Sequence, residues 1–336
     1  MINPIYNPAP GRYSTSGMKY RRCPQSGILL PEVSLGLWHN FGDVNTLENS
    51  MKMAYYAFDN GVVHFDLANN YGPSYGSAEE TFGMIMKKSF LPYRDELFIS
   101  TKAGYDMWPG PYGEWGSRKY LMASLDQSLR RMNLDYVDLF YSHRFDPNTP
   151  LRETMQALVD IVRSGKALYV GISNYPAKEA KAAYDYLSER DVPCLLYQGR
   201  YNMLNRNPEY EGILSQAKEN GVGFIAFSPL AQGLLTPRYL SGEIPSDSRM
   251  AKAKFLRPEV LTEELLTKLR ALNDHAKLRG QTLSEMALSW CLKDDLVTSV
   301  IIGASSVDQL RDNLVAVGNT SFTPEELGKI DSILNG

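Results

Sequence analysis

The chain has 336 residues, with 35 lysines and arginines against 38 aspartates and glutamates, and a formal net charge of −3. This balance argues against a nucleic-acid-binding protein, since such proteins usually carry a basic domain or stripe. Hydrophobic residues at 43% and charged residues at 22% are typical of a folded protein rather than a disordered one. The length permits one large domain or two ordinary ones.

Cysteine usage and apolar runs limit the compartment. The three cysteines are far apart and form no CxxC pair; they are Cys23, Cys194 and Cys291. We therefore expect neither a disulfide framework nor a zinc cluster. Residues 1–17 are polar and proline-rich, so we expect an irregular N-terminal segment without the apolar core of a signal peptide. No uncharged apolar run approaches the ~18 residues of a membrane span. We therefore expect a cytoplasmic protein without membrane contact.

In chain order, the first predicted element is a β-hairpin, with strands at Tyr20–Cys23 and Ile28–Leu30 around Pro24–Gly27. Short apolar or β-branched runs then alternate with amphipathic stretches. The predicted strands are Val33–Leu37, Val62–Asp66, Leu97–Thr101, Tyr136–Tyr141, Ala167–Gly171, Cys194–Gln198, Val222–Phe227 and Ser299–Gly303. The predicted helices are Thr46–Asn60, Glu79–Lys88, Lys119–Met132, Leu151–Arg163, Ala177–Glu189, Glu211–Asn220, Thr262–Arg279, Thr282–Leu292 and Ser306–Val317.

Strict alternation of strands and helices indicates parallel strands joined by crossover helices. Eight units of about 30 residues predict a closed (β/α)₈ TIM barrel, whose usual size is about 250 residues. We expect residues 1–336 to form one such domain, with the hairpin at the barrel bottom. An open doubly wound sheet is the alternative, but no reversal of strand order is indicated.

Two long segments account for most of the surplus length. Ala103–Gly116 follows the third barrel strand, and an insertion from Leu230 to about Val260 follows the seventh. Long loops inside a compact domain are usually functional, and both loops follow strand ends on the catalytic face of a barrel. We interpret them as covers for substrate or cofactor. A disordered surface flap is the alternative for each.

Four chemically useful side chains lie at or just after the ends of three successive strands: Asp66 and Tyr71, Lys102, and His143. Each alone has an ordinary structural explanation, such as a cap or a solvated charge. Together they suggest a site that polarises a carbonyl. An ammonium group lowers the pKa of a nearby phenol, an aspartate keeps the ammonium charged, and a histidine N–H can bond the oxygen on which charge develops.

Hydride is one reaction partner for a polarised carbonyl, but no GxGxxG motif follows an early strand. Ser173, Asn174 and Gln198 could instead bind a carboxamide, and Phe227 could stack on a nicotinamide ring. The Ser305–Ser306 pair precedes a helix, where it could bind a phosphate or serve only as a cap. We predict no metal site, because His39 and His275 are distant in sequence and His64 is assigned to a strand.

These residues resemble the aldo-keto reductase superfamily over about Lys19–Asp331. The segment from Gly61 through Asp66 to Tyr71-Gly72 is similar to the aspartate–tyrosine signature of that family, and the segment 302–313 to its adenosine-phosphate signature. Segments 35–42, 66–73, 103–113 and 230–235 are similar to the branch that holds bacterial L-glyceraldehyde 3-phosphate reductases and potassium-channel β-subunits.

The resemblance implies a role for each matching residue. Tyr71 is the general acid–base, Asp66 and Lys102 tune it, and His143 orients the carbonyl. The implied substrate contacts are Trp38, Tyr71, His143 and Trp108. The implied cofactor contacts are Trp38, Asp66, Ser173, Asn174, Gln198, Phe227, Ser228, Leu230, Gln232, Gly233, Arg238, Arg249, Gly303, Ser305, Gln309, Asp312 and Asn313.

Two positions depart from many relatives, which carry tyrosine or tryptophan at Phe227 and arginine at Gln309. The channel-like branch combines glutamine there with NADPH, so the resemblance favours NADPH. It implies reduction of small aldehydes, with L-glyceraldehyde 3-phosphate and methylglyoxal as candidates, in a homo-oligomer of four or more subunits. The alternatives are a cofactor-binding regulatory subunit with vestigial activity, against which His143 argues, and a Schiff-base lyase using Lys102.

Overall fold

A computed structural model of the protein describes residues 6–246, 248, 250–251 and 256–335. Within these residues, eight parallel strands close into a barrel, in which each strand pairs with the next along the chain and the last pairs with the first. This is the expected (β/α)₈ TIM barrel. The barrel strands are β3 (Val33–Gly36), β4 (His64–Asp66), β5 (Phe98–Ala103), β6 (Val137–Ser142), β7 (Ala167–Ser173), β8 (Cys194–Arg200), β9 (Gly223–Phe227) and β10 (Ser299–Ile302).

The α-helices lie between and after the barrel strands. They are α1 (Leu47–Asp59), α2 (Ser77–Ile85), α3 (Arg118–Met132), α4 (Leu151–Arg163), α5 (Ala177–Ser188), α6 (Asn207–Tyr210), α7 (Ile213–Glu219), α8 (Glu263–Leu278), α9 (Leu283–Cys291), α10 (Val307–Leu314) and α11 (Pro324–Asn335). Every residue of β5 and of β6 is buried, because parallel strands are covered on both faces.

The N-terminal hairpin is confirmed. Strands β1 (Tyr20–Arg22) and β2 (Leu29–Pro31) pair antiparallel. Cys23 and Leu30 belong to one buried cluster with Phe98, Leu139 and Ile225 of the barrel strands. The hairpin therefore contributes to the apolar floor of the barrel.

Three predicted helices have clearly different bounds. The α-helical part of the one predicted at Ser306–Val317 ends at Leu314, where a 3₁₀ turn at Val315–Gly318 follows. The helix predicted at Glu79–Lys88 begins earlier, at Ser77, and its α-helical part ends at Ile85, where a wider turn at Met86–Phe90 follows. The helix predicted at Glu211–Asn220 begins later, as α7 at Ile213, and a short helix that was not predicted, α6, precedes it. Gly212, with φ of +71°, stands between them, and an α-helix cannot continue through a left-handed residue.

The two long loops are present as expected, and the first is well braced. Within it, the Met107 N–H donates to the Gly113 carbonyl and the Trp115 N–H to the Gly104 carbonyl, each at 2.9 Å. The described part of the second loop contains short 3₁₀ turns at Ala231–Gly233, Pro237–Tyr239 and Pro258–Val260. These bonds make a disordered flap the wrong description of the first loop.

The hairpin floor can be tested with two adjacent leucines of β2. Leu30 is fully buried, whereas Leu29 is 48% exposed. We expect Leu30→Ala to lower the free energy of unfolding by about 2–5 kcal/mol, because it leaves a cavity in the floor. Leu29→Ala should change the free energy of unfolding by less than about 0.5 kcal/mol. Urea denaturation measures both. Equal effects of the two variants would contradict the packing of this floor.

Candidate active site

The centre of the site is a buried ion pair between Asp66 and Lys102. The Lys102 ammonium donates to Asp66 Oδ2 at 2.6 Å and to the Leu67 carbonyl at 2.5 Å. The two side chains are 0% and 2% exposed, with the lysine the more deeply buried. Asp66 Oδ1 also accepts from Ser100 Oγ at 2.7 Å and from Gln198 Nε2 at 3.1 Å. The hydrogen bonds offset part of the cost of removing both charges from water.

Strand alternation explains why these residues meet. Side chains two apart on a strand share a face, which groups His64 with Asp66 on β4 and Ser100 with Lys102 on β5. Asp66 is the register partner of Ser100 in the parallel β4–β5 ladder. The polar side chains of these neighbouring strands therefore meet inside the barrel.

Tyr71 follows β4 and is held from both sides. Its N–H donates to the Ala68 carbonyl at 3.0 Å, and its carbonyl accepts from the Ala78 N–H of α2 at 3.2 Å. Gly72 has φ of +99°, and a Cβ there would lie 2.0 Å from Ser77 Oγ, so only glycine fits. The Lys102 ammonium lies 4.8 Å from the centroid of the Tyr71 ring.

His143 follows β6 and faces Tyr71. The two rings meet edge to face with centroids 5.9 Å apart, and Tyr105 contacts the His143 ring in the same manner at 4.7 Å. His143 Nδ1 is buried without a hydrogen-bond partner among the described residues. The four residues predicted to act together are therefore close in space.

The expected lowering of the Tyr71 pKa by Lys102 is wrong for this structure. Burial, reinforced by the negative charge of Asp66, raises the pKa of Tyr71 well above its ordinary value. Burial also lowers the pKa of Lys102. The Lys102 ammonium instead donates hydrogen bonds to Asp66 and to the Leu67 carbonyl, which offset its positive charge. Tyr71 therefore keeps its proton at neutral pH.

His143 is neutral for a similar reason. Burial, together with the positive charges of Lys102 and Arg144, holds the pKa of His143 well below its ordinary value. A neutral imidazole carries one N–H and one acceptor nitrogen. The site therefore contains a protonated phenol and a neutral histidine beside a compensated ion pair, and both rings can donate a hydrogen bond.

Arg144 joins the first long loop to this site, and sequence reasoning missed it. Its guanidinium lies 3.5 Å from the Trp115 ring centroid and 4.4 Å from that of Tyr105. It also donates to the Gly104 carbonyl and to Glu114, each at 2.8 Å. The residue after His143 therefore fixes the loop that carries Tyr105.

The residues predicted for a carboxamide are near His143. Asn174 has φ of +55°, and its Nδ2 donates to the His143 carbonyl at 3.2 Å and to Ser173 Oγ at 3.0 Å. The Asn174 N–H donates to the Gln198 carbonyl at 3.3 Å. Gln198 itself bonds Asp66, so one side chain links this group to the ion pair.

The segment after β9 has an unusual backbone. The φ angles of Ser228, Ala231, Gln232 and Gly233 are +53°, +48°, +60° and +104°, so three residues other than glycine adopt left-handed conformations. Phe227 and Leu230 are half-buried on the same segment. Gln232 Oε1 is buried without a partner among the described residues. Such strained positions cluster at ligand clamps.

The segment after β10 forms a capped helix N-terminus. Gln309 Oε1 accepts from the N–H and the hydroxyl of Ser305, at 3.0 and 2.9 Å, and Ser306 caps α10. Gly303 and Asp312 are exposed, whereas Asn313 is buried. The Ser305–Ser306 pair was expected either to cap the helix or to bind a phosphate. The two roles are compatible, because Gly303, Ser305 and Gln309 remain exposed beside the cap.

Four other predicted residues have different outcomes. Trp38 is partly exposed, with its ring centroid 6.0 Å from that of Tyr71. Trp108 packs on Tyr120, at 5.0 Å between centroids. Arg238 is exposed on the second loop. Arg249, a predicted phosphate partner, lies outside the described residues.

Ser100 and His64 are further residues that the sequence reading missed. Ser100 bonds both Asp66 and His64. The period of two along Phe98-Ile99-Ser100-Thr101-Lys102 was the available signal.

Among the described residues, no group of three metal-ligating side chains could hold an ion, and no helix is long and apolar enough to cross a membrane.

Comparisons with known proteins identify the family. The model of the Aldo/keto reductase family matches residues 32–335, so the chain belongs to that family. The family supports a nicotinamide cofactor and an oxidoreductase activity. The chain is 58% identical over 326 residues to L-glyceraldehyde 3-phosphate reductase of Escherichia coli K12, covering 96% of this chain and 93% of that protein. It is 34% identical to a probable voltage-gated potassium channel subunit beta of Arabidopsis thaliana, covering 94% and 97%.

The two pKa directions predict how carbonyl reduction depends on pH. Tyr71, with its raised pKa, loses its proton only above about pH 10, and His143, with its lowered pKa, gains one only below about pH 6.5. We expect kcat to be constant between about pH 6 and about pH 9. The measurement is a pH profile at saturating substrate, with circular dichroism at each pH to exclude unfolding. An acid limb near pH 6.5, or an alkaline fall below pH 9, would contradict these protonation states.

Proposed function

We propose that this protein is an NADPH-dependent reductase of small aldehydes, with L-glyceraldehyde 3-phosphate as the leading substrate and methylglyoxal as the second. The observation that carries the proposal is the buried Asp66–Lys102 pair beside Tyr71 and His143. The 58% identity to an L-glyceraldehyde 3-phosphate reductase supports the substrate.

The chemistry is divided between the cofactor and the chain. Bound NADPH supplies the hydride for the carbonyl carbon. Tyr71 donates its phenolic proton to the carbonyl oxygen, and its raised pKa keeps that proton in place until charge develops on the oxygen. A neutral His143 donates its N–H to the same oxygen and orients the carbonyl. The ion pair of Lys102 and Asp66 has a fixed geometry and places the ammonium beside the Tyr71 ring.

The residues along the rim fit a nicotinamide cofactor. Ser173, Asn174 and the Oε1 end of Gln198 supply hydrogen bonds for a carboxamide, and half-buried Phe227 offers a ring for stacking. The unpaired Gln232 Oε1 can accept a hydrogen bond from a hydroxyl of a bound cofactor, such as one on a ribose, and the strained backbone around it also suits a bound ligand. We assign Ser228, Leu230, Gln232, Gly233 and Arg238 to the pyrophosphate, with Arg249 as a further partner.

The helix N-terminus after β10 fits the adenosine end. Backbone N–H groups and the positive end of the helix dipole favour a phosphate at such a position. The exposed Gln309 supplies amide N–H donors for a 2′-phosphate, and Ser305 orients that amide by donating to its Oε1, which is the basis for NADPH over NADH. Gly303, Asp312 and Asn313 complete this adenosine end.

Two other functions receive less support. A regulatory subunit is suggested by the similarity to channel β-subunits, but a complete set of Tyr71, Lys102, Asp66 and His143 is more than cofactor sensing requires. A Schiff-base lyase is disfavoured because Lys102 is fully buried and ion-paired with Asp66, and a protonated lysine is not a nucleophile.

The compartment and the subunit number of this protein are part of the proposal. The three cysteines are free and buried, which suits a reducing cytoplasm. We propose a homo-oligomer of four or more subunits on the family resemblance, and sedimentation velocity measures the subunit number directly.

The central test is the fall of NADPH absorbance with a panel of aldehydes, repeated with NADH. We expect turnover of L-glyceraldehyde 3-phosphate with NADPH as the better cofactor. Tyr71→Phe should lower kcat by roughly 10²–10⁴-fold because the proton donor is lost, while the Kd for NADPH stays within about twofold.

Tyr75→Phe is the matched control. Tyr75 lies four residues further along, is exposed, and bonds only Asp106 among the contacts described. Its removal should leave kcat nearly unchanged. Normal turnover by Tyr71→Phe would refute the assignment of the acid. Tight NADPH binding by the wild type without turnover of any carbonyl would favour the regulatory subunit.

A further inference from the structure

A line of polar side chains crosses the barrel interior from the floor to Asp66. His64 is fully buried, with Nδ1 2.8 Å from Ser34 Oγ and Nε2 2.9 Å from Ser100 Oγ. Ser34 Oγ lies 2.7 Å from Ser299 Oγ, and Ser100 Oγ lies 2.7 Å from Asp66 Oδ1. All of these contacts join buried groups on adjacent strands.

Counting hydrogens fixes the direction of the bonds near Asp66. An ionised carboxylate only accepts, so Ser100 must donate its single hydroxyl hydrogen to Asp66 Oδ1. Ser100 Oγ can then only accept from His64, which places the imidazole proton on Nε2. The opposite tautomer would leave either the Ser100–Asp66 or the Ser100–His64 contact without a hydrogen, and an unmade bond between buried polar groups is costly.

The same count extends to the floor. With the proton on Nε2, His64 Nδ1 is an acceptor and must receive the hydroxyl hydrogen of Ser34. Ser34 then accepts from Ser299 at 2.7 Å, a shorter contact than the 3.4 Å from Ser299 Oγ to the Glu32 carbonyl. Every hydrogen from Ser299 to Ser100 thus points toward Asp66.

We propose that His64 is a positioning residue that acts on Tyr71 through Asp66 and Lys102. It is held as the Nε2–H tautomer in a chain of hydrogen bonds that all point the same way and end on Asp66. Its effect on the reaction rests on the proposed function, since it acts through the carboxylate that holds Lys102 beside Tyr71. Successive donors that point the same way polarise one another, which strengthens the bond that Asp66 receives.

The surroundings of His64 agree with a neutral ring. The Phe98 ring lies edge-on to His64 at 5.3 Å between centroids. The charged groups nearest to it are Asp66 and Lys102, which act in opposite directions, and burial lowers the pKa of His64 to about 4. A charged imidazole would donate from both nitrogens and would compete with the Ser34 hydrogen.

Nitrogen NMR of ¹⁵N-histidine-labelled protein tests the tautomer without any turnover. Between about pH 6 and about pH 9 we expect one neutral ring, assigned by its loss in His64→Gln, with the proton on Nε2 and no titration. The Nδ1–H tautomer, or titration of His64 near pH 6.5, would overturn the proposal. An inactive protein that shows the Nε2–H tautomer would refute the proposed function while leaving the chain intact.

Kinetics of three variants test the positioning role. His64→Phe keeps the ring against Phe98 but removes both bonds, and we expect kcat to fall by roughly 10²-fold with the Kd for NADPH nearly unchanged. His64→Gln retains one donor and one acceptor and should recover most of that loss. Ser34→Ala removes only the far part of the chain and should cost less than His64→Phe. Wild-type kcat in His64→Phe, or equal losses in the Phe and Gln variants, would contradict the role.

Discussion

The burial of the Asp66–Lys102 ion pair is the constraint on which the rest of the site depends. Two opposite charges inside a barrel are stable only when their remaining hydrogen-bonding positions are also filled. The structure fills them with Ser100, Gln198 and the Leu67 carbonyl. Each of these groups lies on, or directly after, a barrel strand. The barrel register therefore determines where the charges lie and which groups bond them.

Because the charges of Asp66 and Lys102 offset each other, the pKa values of Tyr71 and His143 are determined mainly by burial. Burial favours the neutral form of both groups, which leaves a protonated phenol facing an uncharged imidazole. Such a pair donates hydrogen bonds to an oxygen without placing a net charge there before substrate binds. Arg144 extends this organisation outward, since it stacks on Tyr105 and Trp115 and so ties the loop beside His143 to the end of β6.

Sequence reasoning predicted the barrel and the proximity of four side chains, those of Asp66, Tyr71, Lys102 and His143, because strand alternation and polar strand ends are local patterns. It misjudged the pKa of Tyr71, since that pKa depends mainly on burial, reinforced by the charge of Asp66, and the extent of burial is not visible in a motif. It also passed over His64 and Ser100, although the period of two on β4 and β5 places them beside Asp66 and Lys102. The separation of α6 from α7 was not predicted either, because it depends on the left-handed backbone conformation of one residue, Gly212. Roles at the cofactor rim depend on contacts with a molecule that the sequence does not contain.

A double-mutant cycle on Asp66 and Lys102 tests the central claim most directly. The measurement is the single-turnover rate of NADPH oxidation by L-glyceraldehyde 3-phosphate in Asp66→Asn, Lys102→Met and the double variant. If the two residues act as one unit, the double variant reacts no more slowly than the slower single variant, so the effects fall short of additivity by at least about tenfold. A rate equal to the product of the two single effects would show that the residues act independently, and would contradict the account.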